Sequence, residues 1–222
     1  ANIGTPDIRT EIVDPHSCED SNGDFIPDCI PSDETSHSVD DLEFGPDGYL
    51  YVSIGDGGSF GRVDPINLRV LEVDSLAGKI LRVDPITGEA PADNPFYDGD
   101  PTSNRSKVYN LGLRNPFRFT INPNDGRLYI GDVGWGGWEE INTGVGQNFG
   151  WPYYEGGNGV NEQNIGYEFL PGAQEFYDTV VATPGTWARS HADGARAIIV
   201  GEFYTGDRYP TEYDDKLFFT NF

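Results

Sequence analysis

Phe44-Gly-Pro-Asp-Gly-Tyr-Leu-Tyr-Val-Ser-Ile-Gly-Asp56 returns, slightly altered, as Ile121-Asn-Pro-Asn-Asp-Gly-Arg-Leu-Tyr-Ile-Gly-Asp132. The turn glycines Gly48 and Gly126 lie 78 positions apart, as do Leu50 and Leu128. Asp215-Lys-Leu-Phe-Phe219 reads as a third, shorter copy. Each of the two full copies is a strand pair around a Pro/Asp/Gly turn that closes on a Gly-Asp corner, so one supersecondary module is used more than once. The β-propeller blade is the module that fits a long β repeat of this kind. The fold class read from the repeat is all-β, a propeller of four-stranded antiparallel blades.

Composition agrees. The chain has 222 residues, 13% aromatic, with 29 Gly and 16 Pro and no low-complexity run, which reads as many short strands joined by ordered turns. Strands are predicted over Asp7–Val13, in Val39–Gly57 on both sides of its turn, and over Lys79–Val83, Lys107–Leu111 and Phe117–Ile121. Further strands are predicted over Leu128–Gly131, Glu139–Ile141, Ala197–Tyr204 and Leu217–Thr220. In the first hairpin Leu42, Phe44, Leu50, Val52 and Ile54 alternate as the inward face of a half-buried pair. Residues 58–75 read as a loop with one helical turn, 89–106 as a long loop, and 143–195 has no clear period. No long helix and no inter-domain linker is predicted: residues 1–222 form one partial propeller domain, with a Cys-bracketed insertion at 14–36. The apolar strand at Leu217–Phe222 leaves an edge to be paired or covered, by a second copy or by further polypeptide beyond Phe222.

With 14 basic and 37 acidic residues the formal charge is −23. The acids are dispersed, which reads mainly as solubility and self-repulsion. The absence of a basic patch excludes nucleic acid as a partner, and no apolar run approaches membrane-spanning length. The chain starts at Ala1 without a visible signal peptide, which suggests a mature or excised piece. Cys18 and Cys29 are the only cysteines. The close pair reads as a disulfide of an oxidising compartment, extracellular or periplasmic, with two free thiols in a reducing cell as the alternative.

Between them lies Glu19-Asp-Ser-Asn-Gly-Asp-Phe-Ile-Pro-Asp28. Asp20, Asn22, Asp24 and Asp28, with the carbonyl of Ile26, supply alternating hard oxygens of the sort calcium takes. The series resembles the calcium loops of thrombospondin type 3 repeats, with Phe25 and Pro31 where such loops carry Gly and a bidentate acid. The alternative is a polar surface turn.

A longer ordered set follows. It comprises His37 through Gly58, Ser75-Leu-Ala-Gly-Lys-Ile-Leu-Arg-Val-Asp-Pro85, Asp93-Asn-Pro-Phe96 and Gly112-Leu-Arg-Asn-Pro-Phe-Arg118. It continues with Gly131-Asp-Val-Gly-Trp135, Trp138-Glu-Glu-Ile-Asn142 and Asn148-Phe-Gly-Trp-Pro152. Together these blocks resemble the soluble pyrroloquinoline-quinone (PQQ)-dependent glucose/sorbosone (aldose sugar) dehydrogenases, from about His37 to the end of the chain. The resemblance implies a six-bladed propeller, about half of it present here. It also implies PQQ and Ca²⁺ as cofactors, an aldose as substrate, and hydride transfer from the anomeric carbon.

It implies His37 as general base, a task suited to imidazole because its ordinary pKa lies near neutrality. It implies Arg114 and Asn115 as cofactor contacts, the guanidinium offsetting charge that develops on reduction. It implies the backbone carbonyls of Gly134 and Trp135 as calcium ligands, with Glu140 nearby. Two positions depart from the family: Phe117 stands where Gln is frequent, and Trp135 where Pro is usual. Read without the resemblance, His37 is a polar loop residue, Arg114 an ion-pair partner, Glu140 a surface acid and the tryptophans core. A second function then fits the same residues, that of a secreted, calcium-stiffened β scaffold that self-assembles through open edges.

Overall fold

A computed structural model of the chain describes residues 18–157 and 159–222; the predicted strand Asp7–Val13 lies outside the described residues. The structure is mostly β. Four strands, β1 (Val39–Phe44), β2 (Leu50–Ile54), β3 (Lys79–Val83) and β4 (Val108–Leu111), form one antiparallel meander. Four more, β5 (Arg118–Ile121), β6 (Leu128–Asp132), β7 (Trp138–Thr143) and β8 (Trp187–Ser190), form a second. β9 (Ile198–Phe203) and β10 (Leu217–Asn221) form an antiparallel pair.

The repeat explains the registers. Phe44 pairs with Leu50 across the first turn and Ile121 with Leu128 across the second. Gly48 and Gly126 sit at φ +82° and +71°, the left-handed region where a side chain would be strained, so glycine recurs at the same place in both copies. The first strands of the three sheets, β1, β5 and β9, lie side by side. Arg118 on β5 bonds Asp41 on β1 at 3.1 Å, and Thr120 on β5 donates to Glu202 on β9 at 3.1 Å.

One apolar cluster joins the two large sheets: Tyr51, Ile80 and Leu113 from the first side, and Phe119, Ile121, Leu128, Ile130 and Phe149 from the second. Burying this face is the main force holding sheet on sheet. The other face of the first sheet corrects the predicted pattern. Leu42 and Phe44, assigned inward, are 59% and 66% exposed, while Tyr51 and Ser53 are buried. Both faces of β2 meet neighbours, so its burial is two-sided, whereas β1 is an edge strand covered on one face only. β8 and a two-turn helix α2 (Ala173–Thr179) fill part of the stretch with no clear period. They are too short for periodicity to reveal.

Burial of β1 carboxyls has a consequence for stability. Asp40 is pushed up to about 7 by burial and then by the neighbouring charges of Asp56 and Asp41; Glu43 is pushed up to about 7 by burial and then by Glu202. Both groups hold their protons better folded than unfolded. Their penalty is therefore absent below the ordinary carboxylate range, grows from there to about pH 7, and is complete above it. The chain is expected to melt at a higher temperature at pH 5.5 than at pH 8, and Asp40→Asn with Glu43→Gln should flatten that difference. A double variant as pH-sensitive as the wild type between these values would contradict the assignment.

Candidate active site

The site is built where loops lead into the first strands. His37 precedes β1 in the left-handed conformation, φ 55°, a position that costs a non-glycine residue on the order of 1 kcal/mol. Its carbonyl is held by the Gly57 amide at 3.0 Å, and its Nδ1 lies 2.9 Å from Asp56 Oδ1. Asp56 is fully buried at the Gly-Asp corner after β2. Its second oxygen accepts from Trp151 Nε1 at 2.9 Å, and its first also accepts from the Gly58 amide at 3.1 Å. A carboxylate at Nδ1 keeps the hydrogen there and leaves Nε2 as the ring's proton acceptor.

The face of Trp151 leads to Arg114, whose guanidinium lies 5.4 Å from the ring centre. Arg114 Nη1 donates to the carbonyls of Val133 at 2.9 Å and Gly134 at 2.8 Å. The backbone of this turn is fixed by the second Gly-Asp corner. Asp132 accepts the amides of Arg114 at 3.1 Å and Asn115 at 2.7 Å. Burial drives the Asp132 carboxyl well up, Glu140 adds to this, and the two amides oppose it. Glu140 is pushed up to about 7 by burial; Asn142 and the Gly156 amide bond its two oxygens. Trp135 packs edge-on against Tyr167 at 5.4 Å, and Tyr167 against Trp151 at 5.1 Å.

The His37 imidazole and the Arg114 guanidinium are linked through Asp56 and Trp151, and the carbonyl of Gly134 is drawn into the same run. The sequence reading missed Asp56, although its signal was present: Gly55-Asp56 and Gly131-Asp132 occupy the same place in the repeat. An aspartate that each copy directs at the turn before an inner strand is a positioning group. His191 Nε2 pairs with Glu139 Oε1 at 2.6 Å in the second sheet.

Two observations bear on PQQ and calcium. Arg114 Nε and Asn115 Oδ1 are buried and have no protein partner, which leaves polar capacity for a bound group. The carbonyls of Val133 and Gly134 already converge on a positive charge, that of Arg114, and carbonyl oxygens of this kind also suit a hard divalent cation. Unpartnered polar atoms and backbone carbonyls are the groups that PQQ and calcium, respectively, would take. An open groove of about 340 Å³ adjoins it, lined by Trp135, Trp138, Glu162 and Asn164 among others. A larger hollow of about 550 Å³ lies among the aromatic side chains of β9 and β10, including Phe203, Tyr204 and Phe218, in another part of the fold.

The loop between Cys18 and Cys29 does not fit calcium as folded. The disulfide is formed. Asp20 accepts from Asn22 and Asp24 within the loop, and these bonds hold its carboxyl below the usual range. Asp28, however, pairs with Lys107, and the Ile26 carbonyl accepts from Asn104 at 3.4 Å. Lys107 and Asn104 belong to the one-turn helix α1 (Asn104–Lys107), so the loop is a clamp on the first sheet. Among the described residues, no group of three or more His, Cys, Asp or Glu side chains is placed to hold a metal ion.

Comparisons place the chain. The HIPL1 protein of Arabidopsis thaliana is 37% identical over 139 residues, 55% of this chain and 19% of its own length. Quinoprotein glucose dehydrogenase B of Acinetobacter calcoaceticus is 33% identical over 140 residues, 57% of this chain and 28% of its own. The crystal structure of the soluble aldose sugar dehydrogenase of Escherichia coli in its apo-form superposes with a TM-score of 0.59 at 28% identity. That superposition covers 82% of this chain and 47% of the other. The chain therefore spans less than half the length of each of these proteins. The family model described as Glucose / Sorbosone dehydrogenase matches residues 21–222, and the chain belongs to that family.

Proposed function

We propose that the three sheets are blades of a six-bladed β-propeller, one partial domain over residues 1–222, whose mouth serves PQQ- and calcium-dependent oxidation of an aldose. The observation that carries this reading is the run from His37 through Asp56 and Trp151 to Arg114, which gathers a base and a cation from the loops that enter β1 and β5. Its chemistry is compact. His37 Nε2 takes the proton of the anomeric hydroxyl as the C–H hydride leaves, and the sugar becomes a lactone. PQQ, when bound, supplies the two-electron acceptor for that hydride. Arg114 and Asn115 would hold the cofactor, and the Gly134 and Trp135 carbonyls, with Glu140 nearby, the calcium. The Cys18–Cys29 disulfide supports an extracellular or periplasmic location. No helix among the described residues is long and apolar enough to cross a membrane.

The test is the purified chain supplied with PQQ, Ca²⁺, glucose and a dye acceptor. Dye reduction that requires both PQQ and Ca²⁺ is the expected result. Neither dye reduction nor a change in cofactor fluorescence would leave the second reading, a non-catalytic secreted scaffold. That reading is favoured by the exposed apolar side chains on the flanks, Leu42 and Phe44 on β1 and Phe218 and Phe222 at β10. These faces suit packing against further blades or a second copy.

A further inference from the structure

The loop from Gly134 to Trp138 turns four consecutive backbone N–H groups onto one atom. Trp135, Gly136, Gly137 and Trp138 donate to Glu155 Oε1 at 2.7, 2.9, 2.9 and 3.2 Å. Glu155 is buried, and this carboxylate oxygen is compensated by peptide dipoles. Bonds from amides to a charged oxygen are among the stronger ones a protein makes.

The geometry of the peptide makes this more than a loop anchor. A trans peptide holds the carbonyl of one residue and the N–H of the next in one plane, pointing in opposite directions. The N–H of Trp135 shares its plane with the carbonyl of Gly134, and the N–H of Gly136 with the carbonyl of Trp135. Drawing both N–H groups to Glu155 therefore turns both carbonyls away from it. The structure shows the same rule at either end of the loop. The Gly134 carbonyl receives Arg114 Nη1 at 2.8 Å, and the Gly137 carbonyl receives the His191 amide at 2.8 Å. The fit is close. A Cβ on Gly134 would collide with the Trp138 carbonyl and with Glu155 itself, so only glycine passes between them.

We propose that Glu155 is a positioning residue that presents the Gly134 and Trp135 carbonyls to the cation at the mouth. This rests on the reading of those two carbonyls as calcium ligands. Glu155 acts through the backbone of residues 135–138.

The experiment measures Ca²⁺ affinity calorimetrically in the presence of PQQ, with hydrogen exchange followed at the loop amides. Glu155→Ala, and Glu155→Asp, whose shorter arm cannot reach all four amides, should weaken calcium by about 10- to 100-fold. Both should speed exchange at residues 135–138 while the amides of β5 and β6 keep their wild-type rates. Glu155→Gln, which keeps an oxygen at the same place, should stay closer to wild type than to Glu155→Ala. If Glu155→Ala does not fold, Glu155→Asp against Glu155→Gln decides. Wild-type calcium affinity in Glu155→Asp, or unchanged exchange at the four amides, would overturn the positioning role and leave the proposed function standing. A wild-type protein that takes up no calcium with PQQ would remove the ligand reading and this role with it.

Discussion

Asp56→Asn is expected to lower sugar oxidation by the PQQ- and calcium-loaded protein by about 10²- to 10⁴-fold with the fold retained. The reason is the direction of one hydrogen bond. Trp151 Nε1 can only donate, so with the amide oxygen of the variant turned to it the amide NH₂ faces His37 Nδ1, and the Gly58 amide loses its acceptor. The imidazole answers by carrying its hydrogen on Nε2, and the atom assigned to accept the substrate's proton is no longer a base. Asp56→Ala should behave differently. It leaves the Trp151 and Gly58 donors buried without a partner, at about 1–3 kcal/mol each, and should lower the urea midpoint as well as activity. Turnover of Asp56→Asn at the wild-type rate would remove His37 from the role of base.

Leu113→Ala is expected to destabilise the chain by about 2–5 kcal/mol, read from urea or thermal unfolding. Leu113 is fully buried in the cluster that joins the two large sheets, and removing its branched end leaves a cavity within that cluster. The residue also immediately precedes Arg114 and Asn115. Its backbone amide bonds the Gly78 carbonyl at 3.2 Å, so the turn that carries Arg114 and Asn115 is seated on the same core. Loss of packing here should therefore weaken PQQ binding in the folded fraction too. A loss below about 1 kcal/mol would mean that the sheets close over the cavity and that this contact does not hold them together.

Much of the architecture was readable in the chain because a strand–turn–strand repeat writes its period into sequence. The Pro-Asp-Gly and Asn-Asp-Gly turns, the alternating strands on either side, and the Gly-Asp corners located seven of the ten strands among the described residues to within about two residues, as at Lys79–Val83. The first hairpin located two more, but its burial pattern misled, because alternation tells which side chains share a face and not which face is covered. Leu42 and Phe44 share a face with Leu50 and Val52 as expected, and that face of β1 is open. β8 was illegible because four residues carry too little periodicity. The calcium-like spacing between the two cysteines was legible too, but the spacing could not say that Lys107 would take Asp28 and Asn104 the Ile26 carbonyl.

The order of blocks from His37 to Trp151 determined by itself which residues were candidates, since residue type and spacing along the chain are local information. Which groups meet was decided only by the tertiary structure. Asp56 lies 95 positions from the indole it accepts from, and Glu155 is 17 to 20 positions from the amides it gathers. Contacts of that kind come from sheets and loops packed against one another. Their hydrogen bonds are worth making because burial has already excluded the water that would otherwise satisfy each group.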